Sequence, residues 1–351
     1  MSKFHKLTIK EVKKETENAV SILFKIPSNL KGDFQFIAGQ YITLKMVLNG
    51  QEIRRAYSIC SSPNSNELRI AIKKIKNGLF SVFATTKLKE GDVIEVSAPE
   101  GKFTLETSEN NSNNYLGFAA GSGITPLISI IKAALENEPN STFTLVYGNK
   151  TVKDTIFKSE IDSLKNKYPT TFYIQYIYSR EQQPNALFGR IDEGNINFVL
   201  KNTFKNHRFN SAFLCGPETM IENAKDILLA YGLEKDKIHF ELFSTPASSK
   251  NETTQPFEGN CKITVLVDDE ETTFTMDSKT TILTAALKEG VDAPYSCQGG
   301  ICSSCLGKVT EGKAVMVKNA ILSDEEIKEG LILTCQSHPT TQKIIVDYDD
   351  V

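Results

Sequence analysis

The first hundred residues alternate apolar and polar positions in short runs, as strands with one buried face do. Residues 19–26 mix that alternation with fully apolar stretches, 41–46 and 68–72 keep it more cleanly, and 93–96 repeat it after a Gly91-Asp92 turn. Several such strands at close spacing predict an antiparallel β-barrel. One short helix, 80–87, is expected to interrupt it after Gly78.

Past a run without an apolar residue, 108–114, the period changes. Strand patterns at 115–119, 142–147, 172–178 and 212–215 now alternate with helical patterns at 126–136, 157–167 and 218–231. That order predicts an α/β domain, a parallel sheet with helices on its faces. An apolar strand at 239–243 closes it. Residues 244–259, rich in Ser, Thr, Asn and Pro, can hardly support a core and read as a tether. A strand at 261–267 and a helix at 282–288, stopped by Gly290, open the last part. The expected chain is multidomain, with a β-barrel at 1–108, an α/β domain at 114–243, a linker at 244–259 and a third domain at 260–351.

A length of 351 residues is too great for one ordinary core, and 40% hydrophobic with 24% charged residues is the balance of a globular protein. The most apolar stretch, 116–135, contains Gly-Ser-Gly, a proline and Lys132, and reads as strand, turn and helix, not as a membrane span. The first seven residues hold no apolar run of signal-peptide length, so no export is expected. Residues 260–351 carry 15 Asp and Glu against 8 Lys, a balance of −7, which leaves +4 for the rest. Opposite signs favour docking of the two parts on each other or of a partner on the acidic part, although a charged surface also serves solubility alone. No basic nucleic-acid surface is indicated.

Seven cysteines, four of them in one pattern, argue against a disulfide framework and for a reducing cytoplasm. Cys297, Cys302 and Cys305 are spaced C-x4-C-x2-C, and Cys335 follows from a distant segment. Four soft ligands can converge on one inorganic centre, and this spacing is that of plant-type [2Fe-2S] sites. Gly299, Gly300, Ser303 and Ser304 leave room for backbone N–H groups to crowd around sulfur. A structural zinc site, which would make the domain a binding module, and a disulfide pair are the alternatives, but only Cys302 and Cys305 form a C-x2-C knuckle. The stretch from Pro294 to Val309 resembles the cluster loop of plant-type ferredoxins, whose fold is a β-grasp. That resemblance makes Cys297, Cys302, Cys305 and Cys335 the ligands.

Within the barrel lies Arg54-Arg55-Ala56-Tyr57-Ser58, and on a strand Arg55 and Tyr57 share a face. An exposed Arg beside a half-buried Tyr is the plain reading. A second signal follows in Gly78-Leu79-Phe80-Ser81, which opens a helix whose free N–H groups can hold an anion. Together these segments resemble the flavin domain of the ferredoxin-NADP reductase superfamily. The resemblance implies FAD, with Arg55 on its pyrophosphate, Ala56 beside it, Tyr57 stacked on the isoalloxazine and Ser58 near the reactive nitrogen. Ile72, Lys73 and Lys74 would line the flavin through their backbone, and Gly78, Phe80 and Ser81 would close over the phosphates.

Strand 115–119 runs into Gly121-Ser122-Gly123-Ile124-Thr125-Pro126, a glycine turn opening a helix. It resembles the first pyridine-nucleotide loop of the same superfamily, involving Gly121, Gly123, Thr125 and Pro126, and Cys215-Gly216-Pro217 resembles the second. Where an NAD enzyme commonly presents a carboxylate, the third strand ends in Ser179-Arg180, with Lys150 at hand, which favours NADPH with NADH possible. A lone strand-end cysteine such as Cys215 is ordinarily a small buried hydrophobe. The resemblance places Cys215 beside the nicotinamide and Glu241 and Phe243 over the flavin, so Ser58, Cys215 and Glu241 are the catalytic candidates. Cys60 and Cys261 read as core.

The resemblance covers nearly the whole chain, and the order with the ferredoxin domain last is most similar to reductase components of multicomponent phenylacetyl-CoA epoxidases, enzymes of phenylacetate catabolism. It implies electron transfer from NADPH through FAD to the cluster and on to an oxygenase component. A reductase for a hybrid-cluster or nitrogen-oxide-metabolising protein would share every one of these motifs.

Overall fold

The computed structural model describes residues 4–243 and 259–351. Strands β1 (Phe4–Thr16), β2 (Ala19–Lys25), β3 (Tyr41–Leu48), β4 (Gln51–Ser58), β5 (Leu68–Lys73) and β6 (Val93–Ser97) form an antiparallel sheet in the order β4-β3-β6-β1-β2-β5. Its edges approach each other where Ile59 bridges Ile70 and the Cys60 N–H donates to the Arg69 carbonyl at 2.8 Å, so the sheet curls into a barrel. The helix α1 (Leu79–Thr86) buries Phe80 and Ala84 in the same core as Ile22, Ile70 and Ile72. The long first strand carries bulges between Ile9 and Glu11 and between Lys14 and Thr16, which break the alternation that would have revealed it.

The next part runs β7 (Asn114–Ala120), α2 (Ile124–Asn137), β8 (Thr142–Asn149), α3 (Lys158–Lys167), β9 (Phe172–Tyr178), β10 (Leu187–Phe188), α4 (Glu193–Phe198), β11 (Ser211–Gly216), α5 (Glu218–Ala230) and β12 (Ile238–Leu242). All six strands are parallel, in the order β10-β9-β8-β7-β11-β12. The order reverses between β7 and β11, and the crevice at their carboxyl ends is where open α/β sheets take ligands. Helix α3 starts at Lys158, one residue later than the pattern suggests, because Phe157 is held at φ +59° with its ring buried.

Barrel and parallel sheet belong to one compact unit, Phe4–Phe243, and the described residues from Gly259 belong to a second. The expected tether lies outside the described residues except for Gly259. The second unit contains β13 (Asn260–Val267), β14 (Glu270–Asp277), α6 (Ile282–Lys288), β15 (Leu306–Glu311), β16 (Ala314–Met316), α7 (Asp324–Lys328), β17 (Leu331–Leu333), β18 (Ser337–Pro339) and β19 (Lys343–Asp347). Its main sheet, β14-β13-β19-β15-β17, has β13 and β19 parallel at the centre, and α6 buries Ile282, Leu283, Ala285 and Ala286 in the core, a β-grasp.

Candidate cofactor-binding sites

Strand β4 separates two adjacent guanidinium groups. Arg54 is buried, with its Nε 2.8 Å from Glu52 Oε1 and its guanidinium over the Phe4 ring. Arg55 is exposed and donates to the Arg54 carbonyl at 2.7 Å, which leaves the rest of its fork open for an anion. Tyr57 is half-buried, its ring centroid 5.7 Å from that of Phe80, and burial pushes its phenol well above the usual range. Ser81 does not offer a free hydroxyl to the turn. Its Oγ accepts from the Ile75 N–H at 3.1 Å, and a Cβ at Gly78 would stand 2.5 Å from it, so Gly78 is required by the turn itself. The first-turn amides of α1 have no side-chain cap. Ile72 is buried and Lys74 exposed, and the Lys74 N–H is already taken by the Asn18 carbonyl at 2.7 Å. The carbonyl of Lys74 is the backbone group that it can still turn to a ligand.

The two nucleotide loops touch. A Cβ at Gly123 would lie 2.0 Å from the Cys215 carbonyl oxygen, a contact only glycine permits. Gly121 has φ +55°, and its carbonyl accepts from the buried Tyr147 hydroxyl at 3.0 Å. Thr125 Oγ1 donates to the Ser122 carbonyl at 3.0 Å, and Pro126 sits in the first turn of α2. A Cβ at Gly216 would meet Met220 Cε at 2.6 Å, and the exposed Pro217 precedes α5.

The resemblance gives Lys73 only a backbone part. Its ammonium reaches from the barrel to within 3.0 Å of the position a Cβ on Gly121 would occupy. Burial, then the neighbouring Lys150 charge, push its pKa down, and Asp154 opposes them. Two lysines thus add positive charge beside the glycine loop. Ser179 N–H and Arg180 N–H donate to the carbonyls of Asn149 and Lys150 at 3.0 and 2.9 Å, which pins these strand ends together. Arg180 itself is exposed. Glu181 is occupied by the Val152 N–H at 2.9 Å and by Gln183, and no ion pair joins it to Arg180 among the described residues.

Barrel and parallel sheet meet at Ser58, Cys215 and Glu241. Cys215 and Glu241 are register partners on β11 and β12, and Ser58 Oγ donates to Glu241 Oε2 at 3.2 Å from β4. Burial raises the Glu241 carboxyl to about 8, against the Ser58 hydrogen bond. Burial, then the Glu241 charge, push the Cys215 thiol well above its usual range, which disfavours a thiolate there. Phe243 follows with 38% of its surface exposed.

In the second unit Cys302, Cys305 and Cys335 are buried and Cys297 is half-buried. No group of three or more His, Cys, Asp or Glu side chains among the described residues has the geometry of a one-ion site. The thiols meet in pairs instead, Cys297 with Cys302 and Cys335, and Cys335 with Cys305. Hydrogen bonds from Cys302 and Cys335, with the Gly299 and Ile301 amides, hold the Cys297 thiol far below its ordinary range and push Cys302 and Cys335 up. Thiols this close repel one another as thiolates, and a bound cationic centre would relieve that repulsion. Gly300 has φ +72°, and a Cβ there would stand 2.9 Å from the Lys318 carbonyl. The buried Ser296 Oγ has no hydrogen-bond partner among the described residues, and the buried Tyr348 hydroxyl, beside Thr334, lies within electrostatic reach of Cys305 and Cys335. Four convergent thiols with hydroxyl donors beside them fit a sulfide-bridged centre, whose sulfur atoms accept hydrogen bonds.

Three family descriptions match the chain: Oxidoreductase FAD-binding domain over residues 6–105, Oxidoreductase NAD-binding domain over 118–226, and 2Fe-2S iron-sulfur cluster binding domain over 265–340. The chain is 38% identical to a component of the 1,2-phenylacetyl-CoA epoxidase of Escherichia coli (strain K12), covering 99% of each protein. It is 31% identical to the 3-ketosteroid-9-alpha-monooxygenase, ferredoxin reductase component, of Rhodococcus rhodochrous, covering 97% of this chain and 96% of that one. The structure of phthalate dioxygenase reductase shares the fold with a TM-score of 0.61 at 24% identity, over 98% of each chain. FAD, a pyridine nucleotide and a [2Fe-2S] cluster are therefore its cofactors. No helix among the described residues is long and apolar enough to cross a membrane.

Proposed function

Because the chain belongs to the family of three-module oxidoreductases that join FAD-binding, NAD-binding and 2Fe-2S domains, with oxygenase reductase components among its members, we propose that it is the NADPH-dependent reductase of a multicomponent oxygenase, with phenylacetyl-CoA epoxidase as the acceptor. The observation that carries the electron-transfer reading is the meeting of Ser58 from the barrel with Cys215 and Glu241 from the parallel sheet. The acceptor rests on the full-length likeness to a component of such an epoxidase. The modules are assigned to 1–108, 114–243 and 260–351, with 244–259 as linker, in a cytoplasmic protein, which seven free cysteines suit.

When bound, the flavin accepts hydride from the nicotinamide as an electron pair and yields electrons singly, as a [2Fe-2S] centre needs. The rest is binding and orientation by this chain. Arg55 holds the FAD pyrophosphate with the open amides of α1 behind Gly78, while Ala56, Tyr57, Phe80 and the backbone of Ile72 and Lys73 bound its ring. Phe243 would cover the face of the flavin opposite Tyr57. Gly121, Gly123, Thr125 and Pro126, with Cys215, Gly216 and Pro217, seat the nucleotide, and Lys73 adds a charge to its phosphates. Ser179, Arg180 and Lys150 take the 2'-phosphate. Glu241, held near neutrality by burial, accepts from the Ser58 hydroxyl at Oε2 and orients it at the junction. Cys297, Cys302, Cys305 and Cys335 ligate the cluster.

The test is an anaerobic visible spectrum before and after one equivalent of NADPH or NADH, then addition of the epoxidase oxygenase component. Faster bleaching with NADPH, lost on Arg180→Ala while NADH reduction is kept, is expected, followed by reoxidation on adding that component. Equal rates with both nucleotides would remove the coenzyme assignment, and reoxidation only by a nitrogen-oxide or hybrid-cluster acceptor would remove the epoxidase.

A further inference from the structure

Helix α2 begins at the glycine loop, and its polar stripe turns toward the barrel, buried at Ser129 and exposed at Glu136. Ser129, Lys132 and Glu136 recur at helical spacing and all contact the segment that follows β4. Ser129 Oγ, fully buried, donates to the Ser61 carbonyl at 2.7 Å. Lys132 Nζ donates to the Cys60 carbonyl at 2.9 Å and pairs with Glu160 Oε1 of α3 at 2.6 Å. The Ser62 hydroxyl donates to Glu136, which also accepts from Asn64 Nδ2 at 3.1 Å.

These contacts join the two halves of the electron-transfer site. Cys60 lies two residues beyond Ser58 and is pinned to β5 through its N–H on the Arg69 carbonyl. Lys132 lies nine residues beyond Gly123, about 13 Å along the same helix. A continuous path of backbone and hydrogen bonds therefore runs from the flavin strand through Lys132 to the nucleotide loop.

We propose that Lys132 is a positioning residue, a strut that fixes the nucleotide loop over the flavin strand and so sets the approach of the nicotinamide to the flavin. The proposal rests on the electron-transfer reading above. Lys132 is not among the residues assigned to either ligand; the sequence shows it only as one charge in an apolar stretch. Its side chain is 14% exposed and gathers three elements, the end of β4, α2 and α3, at one ammonium. Small displacements between two reacting rings are costly in rate even where both rings still bind.

Lys132→Met keeps the packed stem and removes both bonds, and Glu160, with 37% of its side chain exposed, can turn to solvent. The holoenzyme variant is mixed anaerobically with NADPH, and flavin bleaching is followed in time. FAD and iron content unchanged, nucleotide affinity within about twofold, and a limiting rate lower by about tenfold or more are expected. Deuterium at the transferring position of the nicotinamide slows the variant at least as much as the native chain, and Lys132→Arg, which can make both bonds, restores most of the rate. A native limiting rate in Lys132→Met overturns the strut, as does a loss shared equally with affinity and not recovered by arginine. If Lys132→Met fails to retain FAD, Ser129→Ala must show the same split at smaller size, and a native rate there overturns the proposal. A native chain that neither nucleotide bleaches overturns the underlying electron-transfer reading instead.

Discussion

Glu241 is an acid kept from ionising by its surroundings. Its carboxyl titrates near 8 in the fold against 4.5 for the ordinary group, because burial outweighs the one hydrogen bond from Ser58. The folded chain therefore holds that proton more tightly than the unfolded chain does. Stability falls as pH rises from about 4.5 to about 8, and the full cost is present above that range. Glu241→Gln keeps the shape and a carbonyl acceptor for Ser58 but removes the charge. The denaturation midpoint of Glu241→Gln is expected to gain on that of the native chain as pH rises from about 5 to about 9. Parallel curves for the two proteins would show that the carboxyl ionises freely in the fold. Glu241 could be singled out beforehand only through a family likeness, since its partners lie 183 residues away in Ser58 and on a neighbouring strand in Cys215. The cysteine spacing, by contrast, was readable directly, because three of four ligands sit on one short loop.

At the scale of elements, barrel and parallel sheet followed from hydrophobic period and the β-grasp from the likeness of the cluster loop to plant-type ferredoxins, and the joint between the first two followed from neither. Composition makes 108–114 a loose polar link. In the fold those polar groups close on Glu138, which is 1% exposed. Its Oε1 accepts from Asn111 Nδ2 at 2.7 Å and from the Ser108 N–H at 3.3 Å, and its Oε2 from Ser141 Oγ at 2.7 Å and Tyr115 OH at 2.9 Å. A buried carboxylate with four donors is a clamp, and nothing local in Glu136-Asn137-Glu138 announces which glutamate is inside. The same blindness hid Lys132, whose partner carbonyl at Cys60 is 72 residues away. Glu138→Leu strands donors in a dry site and is expected to cost about 3 kcal/mol, while Glu138→Gln, which keeps one acceptor, costs about half as much. Chemical denaturation followed by flavin fluorescence checks the order. Equal stability in Glu138→Leu would mean that the seam relaxes to let water reach the orphaned groups.

The whole molecule divides its charge as it divides its structure. The unit that bears the four thiols is compact by itself, and residues 260–351 carry −7 against +4 for the remainder. On the proposed reading, reduction of the flavin by the pyridine nucleotide occurs within the first unit, at a junction closed by short-range bonds, so it should feel salt only through nucleotide binding. Delivery to the acceptor depends on an encounter between proteins, and an exposed acidic surface steers that encounter over distances that added ions screen. With saturating NADPH, raising ionic strength from about 0.05 M to about 0.5 M should leave flavin bleaching nearly constant and slow acceptor reduction several-fold. Cluster reduction measured without acceptor separates the two contacts the acidic unit can make. If it falls with salt as steeply as acceptor reduction does, the negative charge serves docking within the chain. If neither falls, the charge keeps the unit in solution and the acceptor is recognised by shape around the cluster loop.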